Sequence, residues 1–195
     1  MRHASGRGLC LVAAFGLWAT QARAEEPRVE SKVADPPTRN WVNLRVGAGT
    51  SSGKMVLCGE VEPLERLSLE ACGTGSELLH QEHPREISHY RLKYRLASWK
   101  TEIGWIQPRV GLGFAELQVG EDDVGFDFGG VGPRGTSTSG PEASFGLRAL
   151  YPLGAGIELV GELNFGAAWF RFAPDLTTPL STFQPTAGVS FGVGW

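Results

Sequence analysis

Residues 89–96 read His-Tyr-Arg-Leu-Lys-Tyr-Arg-Leu, alternating basic and apolar side chains at every step. On a helix, where residues three and four apart share a face, this order would mix Arg91 with Tyr94 and Leu92 with Arg95. A β-strand sends odd and even positions to opposite faces, so Tyr90, Leu92, Tyr94 and Leu96 fall on one side and His89, Arg91, Lys93 and Arg95 on the other. Such a strand needs two different solvents.

The same period recurs on both sides of this stretch. Trp41–Thr50 sets Val42, Leu44, Val46 and Ala48 against Asn43, Arg45, Gly47 and Gly49. A second segment runs from Met55 to Val61, and a third, Leu64–Cys72, sets Leu67, Leu69 and Ala71 against Arg66, Ser68 and Glu70. Downstream, Trp105–Val119, Glu142–Tyr151, Gly156–Phe172 and Thr186–Trp195 continue the pattern. Eight segments near the ~9–11 residues that a membrane-crossing strand needs predict an all-β fold. The expected form is an eight-stranded antiparallel up-and-down transmembrane β-barrel over residues 41–195.

Connections support that order, because such barrels have short turns on the periplasmic side and longer outer loops. Glu62-Pro63, Ser98–Glu102 and Pro152–Ala155 read as the short turns, and Gly73–Ile87, Gly120–Gly140 and Ala173–Gln184 as the long ones; only the first outer loop, Ser51–Lys54, is brief. The 27 glycines and 12 prolines also weigh against a helical fold.

Ahead of the barrel, residues 1–24 carry Arg2, His3 and Arg7, an apolar run from Leu9 to Ala19, and Ala22-Arg23-Ala24. That is the layout of a secretory signal peptide, and the run is too short to span a bilayer as a helix. Residues 25–40, charged and proline-containing, read as a flexible periplasmic lead-in. The chain is therefore expected to be an exported precursor from a Gram-negative bacterium, bound for the outer membrane. Losing Arg2, Arg7 and Arg23 leaves 15 basic and 21 acidic side chains, a net charge of −6 that disfavours nucleic acid as a partner.

The last ten residues, TAGVSFGVGW, place Ala187, Val189, Phe191, Val193 and Trp195 in one apolar row. This resembles the C-terminal strand of outer-membrane barrel proteins, and with the eight segments the whole of 41–195 resembles the small OmpA/OmpX-type barrels. The resemblance implies that this row is an assembly signal read by the barrel assembly machinery, and that outer-membrane lipid surrounds the protein.

Taken together, the polar faces put Arg45, Arg66, Arg91, Lys93, Arg95, Arg109 and Arg148 in the lumen with Glu60, Glu70, Glu158 and Glu162. An eight-stranded barrel is only wide enough for its own side chains, so a structural charge network with a basic bias is expected in place of a pore. Cys58 and Cys72 are disulfide candidates in an oxidising compartment. A tight turn at Glu62-Pro63, however, would set Cys58 opposite Leu67, so either that register or the bridge is wrong.

Catalytic and cofactor readings are weaker. His80, His83, Glu86, Ser88 and His89 cluster, but adjacent Ser88 and His89 point to opposite faces and cannot bond each other directly. His80 and His83 lack further metal ligands nearby. Glu121, Asp122, Asp123 and Asp127 read as a solvated acidic loop, and Gly130, Gly132 and Gly135 form GxGxxG without a following helix. No catalytic, metal or cofactor site is expected. The expected role is structural, adhesive or surface recognition with an unknown external partner; a lipid-modifying barrel enzyme and a soluble lipocalin-like binder are the alternatives.

Overall fold

The structure, a computed structural model, describes residues 41–50, 55–74, 85–120 and 135–195. The signal peptide and lead-in expected over 1–40 lie outside the described residues. So do His80, His83, the acidic loop at 121–127, Gly130 and Gly132.

Nine strands are present among the described residues: β1 (Val42–Gly49), β2 (Val56–Leu64), β3 (Leu67–Gly73), β4 (Arg85–Arg95), the two-residue β5 (Trp99–Lys100), β6 (Trp105–Val119), β7 (Ser137–Gly154), β8 (Ile157–Trp169) and β9 (Phe183–Gly194). Each long strand pairs antiparallel with its neighbours in sequence, β4 pairs directly with β6, and β1 pairs with β9, which closes an eight-stranded barrel. The short β5 only extends the β6 edge.

The registers fix the barrel's dimensions. From Asn43 the ladder passes through Glu60, Glu70, Arg91, Gly113, Glu142 and Ala168 to Gln184, four residues before Gly188, whose partner on β1 is Gly49. Closure is thus displaced ten residues along β1 from Asn43, a shear of ten. Eight strands at that shear tilt by about 40° and enclose a radius of about 8 Å. Such tight curvature needs glycine where strands crowd: a Cβ on Gly113 would lie 1.9 Å from the Tyr90 carbonyl oxygen, and one on Gly192 1.8 Å from that of Leu44.

The first inner turn differs from the expected one. Leu64 pairs with Leu67, so the turn is Glu65-Arg66, not Glu62-Pro63, and Arg66 adopts a positive φ of 69°. Its side chain is exposed instead of lying in the lumen. Pro63 misleads because proline usually marks a turn, yet β2 continues through it with an irregularity between Val61 and Leu64. The corrected register sets Cys58 opposite Cys72. Elsewhere the eight long strands agree with the expected segments, although β7 starts earlier and runs longer.

Sidedness follows the alternation. Leu44, Leu69, Leu92, Leu112, Leu163 and Phe191 point outward with 45–69% of their surface exposed. On the same strands Arg45, Glu70, Arg91, Arg109, Glu162 and Ser190 point inward and are buried.

Toward the end where β6 and β7 rise highest (the wide end), the interior changes character. Ile87, Ala115, Leu117, Val119, Ala168 and Phe170 face inward and form an apolar cluster with Ala173 and Leu176. The β8–β9 connection folds over this cluster through the 3₁₀ turn Ala173–Asp175, fixed by Phe170 N–H to the Thr182 carbonyl (2.7 Å) and Leu180 N–H to that of Ala173 (3.0 Å).

Candidate functional site: a charged layer beneath an open cup

Alternation delivers the inward side chains, and the tilt stacks them into a layer. Glu60 on β2 accepts from Arg45 (2.9 Å), from Arg109 (2.5 Å) and from Arg148. Glu162 on β8 takes Arg45 (2.6 Å), Arg148 (2.5 Å) and Lys93, and Glu70 on β3 takes Lys93 (2.8 Å), Arg91 (3.2 Å) and Arg45. Asn43 accepts from Arg45 Nε at 2.9 Å, and Ser68 from Arg109 at 2.9 Å. Several of these bonds cross the lumen, from β1 to β8, β7 to β2 and β4 to β8. Every cation in the layer meets at least two carboxylates, the condition under which buried charges persist.

Sequence reasoning named most of this network. Arg45, Glu70, Arg91, Lys93, Arg109, Arg148 and Glu162 come together in it, whereas Arg95 sits at the lower rim, 3.4 Å from Glu62. Glu158 faces inward and is buried near the same end, opposite Gly194. Glu142 and Glu62 were missed. Glu142 lies 2.6 Å from Arg91 and 2.9 Å from His89 Nδ1, and Glu62 lies 3.6 Å from Arg109. Glu142 could have been found by counting back six residues from Arg148 in the strand's phase. With Arg66 out and these two in, the interior holds, among the described residues, six bases (Arg45, Arg91, Lys93, Arg95, Arg109, Arg148) and six acids (Glu60, Glu62, Glu70, Glu142, Glu158, Glu162). The expected basic bias is absent.

Above the layer, on the side of the short β1–β2 hairpin, a cup of about 50 Å³ remains, with room for roughly three or four waters. Arg45, Glu70 and Glu162 form its floor; Cys58, Cys72, His89, Asn164 and Thr186 stand on its walls. Cys58 and Cys72 are bonded to each other across β2 and β3. Small inward residues on β1 and β9, among them Gly49, Gly188 and Ser190, leave the space open.

Ser88 and His89 occupy opposite faces of β4, with His89 buried inside, so the pair does not form a nucleophile and its base. Ala187, Val189, Phe191, Val193 and Trp195 form the outward row of β9 and its end, beside β1 and β8. No protein-family model matches the chain, and comparison with curated proteins and with solved structures likewise gives no match.

Proposed function

We propose that this chain is an outer-membrane β-barrel protein with a structural, adhesive or surface-recognition role, its lumen filled by the ion-paired layer and carrying no open pore. One observation carries the reading: inside and outside exchange polarity part-way up the same strands. On β6 the outward-phased positions change from the apolar Val110, Leu112 and Phe114 to the polar Glu116, itself covered to 2% exposure, and the half-buried Gln118, while the inward face changes from Arg109 to Ala115, Leu117 and Val119. On β4 the outward Tyr94, Leu92 and Tyr90 give way to Ser88, and inward Lys93 and Arg91 to Ile87. A strand wall in one solvent keeps one polarity; two solvents, lipid below and water above, account for the exchange.

The height of the apolar belt fits as well. Leu159, opposite Tyr151, and Trp169 are ten residues apart on β8. At about 3.3 Å per residue and 40° of tilt this is about 25 Å, the apolar height of such barrels. Tyr151 and Trp195 stand at one margin and Trp169, opposite Phe183, at the other; the amphipathic rings of Trp and Tyr settle at lipid–water boundaries. The same placement disfavours the lipocalin-like alternative, whose charges at Arg91 and Lys93 would face water.

Under this reading outer-membrane lipid surrounds the belt, the Ala187–Trp195 row engages the assembly machinery, and the loops at the wide end meet the external partner. Cell fractionation tests it: the protein should require detergent for extraction from the outer membrane. Recovery from the soluble periplasm would overturn the reading. Deleting Trp195, or replacing Phe191 by Asp, should lower the amount assembled.

A further inference from the structure

Three inward positions on neighbouring strands share one row of the ladder: Cys58 lies opposite Cys72, and Cys72 opposite His89. All three are buried and line the cup. A carboxylate oxygen of Glu70 lies within 4.8 Å of both sulfurs. His89 Nδ1 lies 2.9 Å from a Glu142 oxygen. A carboxylate in that position fixes the tautomer of a metal-binding imidazole and leaves Nε2 as the donor atom. Two sulfurs and an imidazole suit a borderline-soft divalent ion; calcium and magnesium prefer an all-oxygen set.

We propose that Cys58, Cys72 and Glu70, whose ligand atoms already lie together, form a redox-gated site for a zinc-class divalent cation, with His89 on the adjacent strand closing on the metal as the fourth ligand of a tetrahedron. In the disulfide form the two sulfurs are bonded to each other and no thiolate is offered. Two low-molecular-mass thiols open the site: the first attacks one sulfur to give a mixed disulfide, and the second releases it. The products are two cysteine thiols and one external disulfide. Binding of the dication then displaces two protons from those thiols. Dication plus two thiolates is neutral, so occupancy adds no net charge to the balanced layer below, where an uncompensated charge would be costly. An external disulfide reverses the sequence, re-forming the protein disulfide and ejecting the metal.

Cobalt(II) titration of the folded full chain in detergent micelles tests this. The protein is first reduced with a phosphine that is then removed under anaerobic conditions. The reduced protein should show a thiolate-to-cobalt charge-transfer band and intense tetrahedral d–d absorption saturating at one equivalent, bleached by zinc; the disulfide form should show neither. Glu142→Gln should weaken binding by about 10–100-fold while keeping the thiolate band. His89→Gln should weaken it at least as much and change the d–d spectrum. Absence of the thiolate band in reduced, folded protein overturns the proposal, as does unchanged affinity in His89→Gln. Loss of the β-sheet circular dichroism on reduction also overturns it. Membrane placement does not enter this experiment, so its outcome is separate from that of fractionation.

Discussion

The middle of the barrel and its wide end are built from the same strands with opposite rules. In the middle, Glu60 and Glu162 collect cations from across the lumen while Leu112, Leu163 and Phe191 face outward. At the wide end, Leu117 and Phe170 fill the interior and Ser88, Glu116 and Ser139 take one outward row across β4, β6 and β7. The middle gains little from burying apolar surface inside, so its unique packing rests on directional charge-assisted bonds. The wide end is a small apolar core of the ordinary kind. Backbone continuity joins the two, but their side-chain energetics are separable.

The largest expected effect breaks the middle. Glu60→Ala leaves Arg109, Arg148 and Arg45 short of a carboxylate in a dry interior, and should cost about 3–5 kcal/mol. Urea unfolding in lipid vesicles reads that loss, and a change below about 1 kcal/mol would mean that water reaches the layer. Opening the Cys58–Cys72 link, by replacing both cysteines with Ala, should cost about 3 kcal/mol from the entropy of the short loop it closes. Phe170→Ala removes a ring from the wide-end cluster. Its cost of about 3 kcal/mol should appear locally, as faster hydrogen exchange over 170–182, with the middle keeping its protection.

Much of the middle was legible in the sequence because alternation is read one residue at a time. His89–Leu96 and Thr186–Trp195 state their two faces outright. The Glu65-Arg66 turn was not legible, since Pro63 is a stronger local turn signal than Arg66, and only pairing with β3 shows that the strand continues past it. Charge balance was misjudged for a related reason: moving one turn by three residues ejects Arg66 and brings Glu62 inside, and Glu142, the first residue of its expected segment, was left off the inward face although it shares the phase of Arg148. The wide-end cluster was invisible as such. Ile87, Leu117 and Phe170 are far apart in sequence and gain meaning only from the register that brings the ends of β4, β6 and β8 to one level inside the barrel.

Lipid-facing charge gives the smallest and sharpest test of where one rule gives way to the other. Leu163 and Trp169 both point outward on β8, six residues apart, at 45% and 54% exposure. Sterically they are equivalent sites. If the apolar belt faces hydrocarbon, Leu163→Arg sits close to its mid-height and should lose about 2–4 kcal/mol, whereas Trp169→Arg sits at the margin and should lose about 1 kcal/mol or less. A barrel in water would show no gradient, because an outward arginine would be solvated at either height. Equal costs at the two positions, measured by unfolding in vesicles, would therefore break the comparison between middle and wide end. A steep difference would locate the boundary between Phe165 and Trp169, level with the outward row of Ser88, Glu116 and Ser139.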